Sequence, residues 1–179
     1  ADDFVLLVVG SRQQAEAERE ALAQFLWDEM RLELSSEKTL ITRPEKGFIF
    51  LGYRVVRTKS YKNGNWVGNL RIPKEKVKAL RREIKKRTSR ATLVLPFKDL
   101  IWSLNPLIPG WRNYFQYATY ACKEFHDLDN WLWHRIDRWL RRKHRKTGAR
   151  KLRAKFRAGP HPPMRNRWRD GKAINKRFS

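Results

Sequence analysis

The spacing of hydrophobic residues changes along this chain, and the change divides it. Phe4-Val5-Leu6-Leu7-Val8-Val9 is a continuous apolar run ended by Gly10, which predicts a strand covered on both faces. Ser11 then offers a helix N-cap, and Gln14 three residues on completes a capping box. Ala15, Leu22, Phe25, Leu26 and Met30 follow at helical spacing, predicting a helix of about five turns. Leu32 and Leu34 alternate with Glu33, and Thr39, Ile41 and the stretch from Phe48 to Val56 read as strands around the turn-like Pro44-Glu45-Lys46-Gly47. Gly52 within the last of these predicts a bulge or a point of close approach, and Asn63-Gly64 predicts a hairpin with a type I′ turn.

From Pro73 onward the period becomes helical. Val77, Leu80 and Ile84 mark one narrow stripe of a helix over 74–90 whose other faces are basic. Phe97, Leu100, Ile101 and Leu104 predict a second, short helix that Asn105-Pro106 ends. Trp111, Tyr114, Phe115 and Ala118 make a third, and Phe125, Leu128, Leu132, Ile136, Trp139 and Leu140 a fourth. After Gly148 the apolar period fades while Arg, Lys, Pro and Gly persist, which predicts a partly ordered basic tail. The expected class is α+β: short strands, one helix and a hairpin over 1–72, a small helical bundle over 73–146, and the tail over 147–179. The aromatic stripes at 111–120 and 131–139 read as core, with Trp131 and Trp133, off the Leu128-Leu132-Ile136 seam, as candidates for stacking on bases.

Charge sharpens the division. The 179 residues carry 41 Lys plus Arg against 18 Asp plus Glu, a net charge of +23. Residues 1–58 hold 8 basic and 10 acidic side chains, whereas 59–179 hold 33 and 8. A partner rich in negative charge therefore belongs to the second part. Its candidate contacts are Lys74, Lys78, Arg81, Arg82, Lys85 and Lys86 on the first helix of the bundle, and Arg112 on the third. Arg138, Arg141, Arg142, Lys143, Arg145 and Lys146 at the end of the fourth complete the set. Cations of this kind neutralise phosphates and release counterions, and helices that track a backbone suit A-form RNA. Cys122, the single cysteine, excludes an internal disulfide framework and a cysteine-rich zinc site. His126, His134, His144 and His161 show no metal-ligand spacing, there is no Gly-rich phosphate loop, and the longest apolar run is far short of a membrane span. Neither a membrane partner nor a signal peptide is expected, and the expected compartment is a reducing cytosol or organelle matrix.

Several blocks then carry a family resemblance. Ala1-Asp2-Asp3-Phe4-Val5-Leu6-Leu7 resembles the Tyr-Ala-Asp-Asp segment of reverse transcriptases without its tyrosine. With Leu32-Glu33-Leu34-Ser35-Ser36-Glu37-Lys38-Thr39 and Phe50-Leu51-Gly52-Tyr53, in that order, it resembles the end of the palm in group II intron reverse transcriptases. The block from Leu104 to Phe115, with Leu128-Asp129, Trp133 and Trp139-Leu140-Arg141-Arg142-Lys143-His144, is similar to the maturase-specific thumb region of that family. Pro109 departs from it, standing where many relatives place a basic residue.

The resemblance covers roughly residues 1–146 and implies roles. Asp2 and Asp3 would be catalytic metal-binding carboxylates of a two-metal nucleotidyl-transfer site, with Asp2 the direct ligand. Lys38 would lie near the triphosphate, and Phe50, Leu51, Gly52 and Tyr53 would form a primer-grip hairpin. The fingers and the earlier palm aspartate lie outside the sequence, so Mg²⁺ is expected only where the complete polymerase site is assembled, and catalysis by this chain alone is not expected. The implied function is RNA binding of the maturase type, assisting the folding and splicing of a structured group II intron RNA. DNA targets, an RNA/DNA hybrid and the missing N-terminal half of the enzyme are further implied partners. Two alternatives stand beside it: a split half of an active RNA-directed DNA polymerase, and a generic basic DNA-binding protein.

Overall fold

The computed structural model describes residues 3–35, 37–159 and 167–179, and the chain falls into two compact units, Ala1–Asn69 and Leu70–Ser179. The class is α+β, with one helix and a three-stranded sheet followed by a helical region. Among the described residues no helix is long and apolar enough to cross a membrane.

In the first unit, helix α1 (Arg12–Met30) begins where the capping box predicts: Ser11 Oγ accepts from the Gln14 N–H at 3.3 Å, and the Ser11 N–H donates to Gln14 Oε1 at 2.7 Å. It ends because Arg31 turns left-handed, at φ 53°. The apolar stripe of α1 is only partly covered: Ala15, Leu22 and Leu26 are half-buried, none of its residues is fully buried, and Phe25 and Met30 are 53% and 57% exposed. Phe4 to Val9 likewise forms no strand, and Val9 is fully exposed. The physical reason is that a continuous apolar run sets no period of its own and becomes a strand only beside a hydrogen-bonding neighbour, and no described strand pairs with it. The strands expected at Leu32-Leu34 and at Thr39 and Ile41 are absent on the same ground.

The sheet itself forms from β1 (Phe48–Phe50), β2 (Tyr53–Lys59) and β3 (Trp66–Arg71), in that order. In the antiparallel β1–β2 register Phe48 faces Val55 and Phe50 faces Tyr53, so the loop is the pair Leu51-Gly52. Both have positive φ, 45° and 74°, as a type I′ turn demands. Gly52 is thus a turn residue rather than a bulge. The I′ turn expected at Asn63-Gly64 is not made, since only Gly64 has positive φ there. Asn63 instead spends its side-chain oxygen accepting from the Asn65 N–H at 3.2 Å, and the wider loop is closed by the Ser60 N–H donating to Asn65 O at 2.7 Å.

The second unit is the helical bundle. Helix α2 (Lys74–Arg87) is followed by a 3-10 turn (Ala91–Val94), then α3 (Phe97–Leu104), α4 (Leu107–Phe115), α5 (Ala121–Lys143) and α6 (Ala149–Phe156). Helix α2 ends with Thr88 as its C-cap, short of the expected 90, where the backbone leaves the helical region at φ −107° and ψ 29° and the buried hydroxyl donates back to Ile84 O at 2.7 Å. Leu80 and Ile84 of its stripe are buried, as are all four predicted positions of α3 and the Leu128-Leu132-Ile136-Leu140 seam of α5. Phe97 links α3 to α5 and α6, stacking on Trp139 at 5.9 Å and meeting Phe156 edge-on at 5.2 Å.

The segment after Gly148 departs from the expected fading of the core. Leu152, Phe156, Trp168, Ala173 and Phe178 are buried, Trp168 and Phe178 completely. Burial of one such aromatic contributes roughly 1.5–3 kcal/mol. Short strands β4 (Arg169–Asp170) and β5 (Ala173–Ile174) pair antiparallel, and polar anchors fix them. Asp170 accepts from the Lys98 N–H at the start of α3, while Asn105 donates to Ile174 O and accepts from the Lys176 N–H. Asp129 of α5 accepts from the N–H groups of Phe178 and Ser179 at 2.8 and 2.9 Å. Leu152 and Phe156 share α6 at i, i+4, but Trp168, Ala173 and Phe178 come from separate short stretches, so no period announces their packing.

Candidate nucleic-acid interface

Helix α2 exposes one broad cationic face. The leucine and isoleucine seam turns inward, which leaves Lys74, Lys78, Arg82, Lys85 and Lys86 exposed. Among the described residues their side chains make no ion pair and no hydrogen bond. Of the two acids on α2, Glu75 is exposed in the first turn and Glu83 is engaged: Arg87 Nε donates to it at 2.8 Å, and that hydrogen bond, with the charges of Arg87 and Lys86, holds its carboxyl below the usual carboxylate range against partial desolvation. The α2 cations are left to solvent or to a polyanion.

Two contacts bring α2 alongside α5. The Arg81 guanidinium lies over the Trp131 ring, 5.4 Å from its centre. Arg135 Nε donates to Thr88 Oγ1 at 2.8 Å and its outer nitrogen to Thr88 O and Lys85 O at 3.3 and 3.4 Å, so Arg135 caps the end of α2. Its pKa is lowered by burial first and then by the positive charges of Arg138 and Arg142. Two further cations of α5 thus lie near Arg135.

The predicted basic residues thus separate by role. Lys74, Lys78, Arg82, Lys85, Lys86, Arg112, Arg138, Arg145 and Lys146 are exposed, and Arg142 half-buried. Arg141 is bound to Asp137 at 2.6 Å. Lys143 is structural: its Nζ donates to Leu93 O and Leu95 O at 2.6 and 2.9 Å and sits over Trp139, clamping the 3-10 turn. Arg81 covers Trp131, and its Nε is buried with no hydrogen-bond partner. Trp133 is no open stacking platform either, since Trp168 stacks on it at 5.2 Å and Arg153 lies over its ring at 5.1 Å.

Sequence reasoning passes over two groups. Arg135 is one, although its i, i+3 spacing from Arg138 is visible in the chain. The other is an open cleft lined by Arg150, Arg153, Ala154 and Arg157 on and after α6. Arg153 there is fixed by Asp137, which accepts at 2.9 and 3.1 Å.

In the first unit, Asp2 lies outside the described residues, Asp3 and Lys38 are exposed, and Phe50 and Tyr53 flank the hairpin tip of exposed Leu51 and half-buried Gly52. Among the described residues no three His, Cys, Asp or Glu side chains converge.

Residues 77–157 match the family model for the group II intron, maturase-specific domain. That segment is similar to the maturase-specific domain of group II intron proteins. It takes in most of α2 and all of α3 to α6, the elements that carry the cationic face. The chain is 42% identical over 78 residues to Protein YkfC of Escherichia coli K12, covering 44% of this chain and 20% of that relative. Over 105 residues it is 33% identical to the group II intron-encoded protein LtrA of Lactococcus lactis subsp. cremoris, covering 56% of this chain and 15% of LtrA. The matched stretches therefore span a fifth or less of the length of these curated relatives.

Proposed function

We propose that the chain binds the folded RNA of a group II intron through the α2 face and the adjoining end of α5, and that this binding assists intron folding and splicing. The observation that carries the reading is the row of exposed cations on α2 that make no ion pair or hydrogen bond among the described residues, beside Arg138 and Arg142, on helices whose segment 77–157 matches the maturase-specific family model. Flexible lysines and forked arginines on a helix reach successive phosphates without reading bases, which suits RNA recognised by shape. LtrA, a group II intron-encoded protein by name, supports the same direction. In the first unit, the order of the Asp2-Asp3, Lys38 and Phe50–Tyr53 blocks supports a reading as the end of a polymerase palm. The Leu51-Gly52 tip then stands as the primer-grip hairpin.

The test is competition. The full chain is bound to a labelled group II intron RNA and challenged with duplex DNA of equal length at fixed salt. Persistent preference for the folded RNA is the expected result. Equal competition by DNA would reduce the protein to a generic basic binder.

A further inference from the structure

We propose that the turn between α4 and α5 presents Tyr117 and Tyr120 as a stacking site for unpaired nucleotides of RNA. The inference rests on the RNA binding proposed above and adds a second partner class to it: single-stranded segments, beside the backbone tracked by α2.

Both rings are out in solvent, 76% and 71% exposed, and among the described residues neither side chain has a ring, ion or hydrogen-bond partner. The turn that holds them is nevertheless fixed. Ala118 between them is buried, the Thr119 N–H donates to Leu70 O at 2.6 Å, and the Leu70 N–H donates to Thr119 Oγ1 at 3.1 Å. The N–H groups of Ala118 and Ala121 close successive turns onto Phe115 O and Ala118 O. Tyr120 also sits left-handed, at φ 63° and ψ 23°, a region that disfavours a large side chain. Glycine would take this bend without strain. The tyrosine therefore costs the fold and gives it no packing in return, which leaves the exposed ring face as what it offers.

The chemistry around the rings selects the occupant. Arg71 follows Leu70, Arg112 lies on the last turn of α4 and Lys123 on the first turn of α5, all exposed, with Glu124 the acid beside them. A π face held rigidly among cations stacks a base while the cations take its phosphate, and this combination is sequence-tolerant because every base has a face. Duplex RNA, whose bases are already stacked, offers no such face.

The test uses the full chain and a short fluorescein-labelled RNA, either single-stranded or annealed to its complement, read by anisotropy at fixed salt. Changing Tyr117→Ala together with Tyr120→Gly should weaken single-strand binding by roughly 10- to 100-fold, while duplex binding moves by less than about twofold and the salt slope is unchanged. Tyr117→Phe should bind as the parent does, since stacking needs no hydroxyl. Tyr120→Gly alone should melt no lower than the parent, which shows that any weakening is not unfolding; Tyr117→Ala, away from the strained position, reads the ring by itself. Single-strand affinity unchanged in the double variant, or single-strand and duplex affinity falling together, would overturn the stacking site and leave α2 binding standing. A parent chain that binds duplex but not single strands overturns it too. Binding of neither form by the parent would overturn both this site and the RNA-binding reading beneath it.

Discussion

Asp129 and Asp137, eight residues apart on α5, tie later parts of the chain to the bundle by opposite means. Asp129 accepts backbone donors from Phe178 and Ser179, together with the Ser179 hydroxyl at 2.5 Å and Arg177 Nε at 3.3 Å. Asp137 instead joins two guanidinium groups, Arg153 of α6 and Arg141 of its own helix. Burial raises its pKa, but the hydrogen bonds and charges of Arg153 and Arg141 outweigh that and leave it below the ordinary value of 3.8. A carboxylate depressed in the folded state contributes stability above its unfolded pKa and loses it as pH falls through the folded one. Asp137→Asn should therefore cost about 2 kcal/mol at neutral pH, the usual worth of hydrogen bonds to a charged group. It should also remove part of the fall in melting temperature at acid pH. His144, stacked on Phe156, adds a second acid-side loss: burial, then Lys143 and Lys155, lower its pKa against the opposing Asp170, so stability drops as pH falls below 6.5. Thermal melts at neutral and acid pH check both; an Asp137→Asn chain that melts like the parent throughout would show the pairs to be spectators.

Helix α2 shows at the scale of one element how much of the site is legible in advance. Its buried seam and its cations can both be read, because a 3.6-residue period places Leu80 and Ile84 on one side and Lys78, Arg82 and Lys86 on another at i, i+4 and i+8. Changing those three cations to Ala should leave helical circular dichroism and melting temperature near the parent values, since none of the three makes an ion pair or hydrogen bond among the described residues and Ala favours helix. A large drop in melting temperature would contradict the account of this face. Period fails where packing partners come from far along the chain. Trp133 lies off its helix seam, and its cover, Trp168, belongs to a segment without periodicity. The stripe that includes Tyr114 reads as one helical face, yet α4 ends at Phe115, which leaves Tyr117 and Tyr120 on a turn. In the first unit Phe4 to Val9 carries strand composition, but a strand's partner is not written in its own residues.

Across the whole molecule, charge and packing are distributed differently. The excess of cations lies in 59–179, and so does the buried apolar core apart from Val56, including the residues after Gly148 that composition alone assigns to a solvated tail. Removing 149–179 should therefore do more than weaken RNA binding. Loss of Trp168 and Phe178, each worth roughly 3–5 kcal/mol on truncation to Ala, should leave a bundle with reduced near-ultraviolet dichroism and dye-accessible apolar surface. An unchanged melting temperature in the shortened chain would show that these aromatics are dispensable.

The central claim is that α2 binds RNA by neutralising backbone phosphates. Its most direct measurement is the slope of log K against log salt for the full chain on a folded group II intron RNA, compared between the parent and the Lys78→Ala, Arg82→Ala, Lys86→Ala variant. The expected result is weaker binding and a slope reduced in magnitude by roughly 0.7 to 0.9 for each phosphate that the variant no longer neutralises. A folded variant with the parent's slope would contradict the claim.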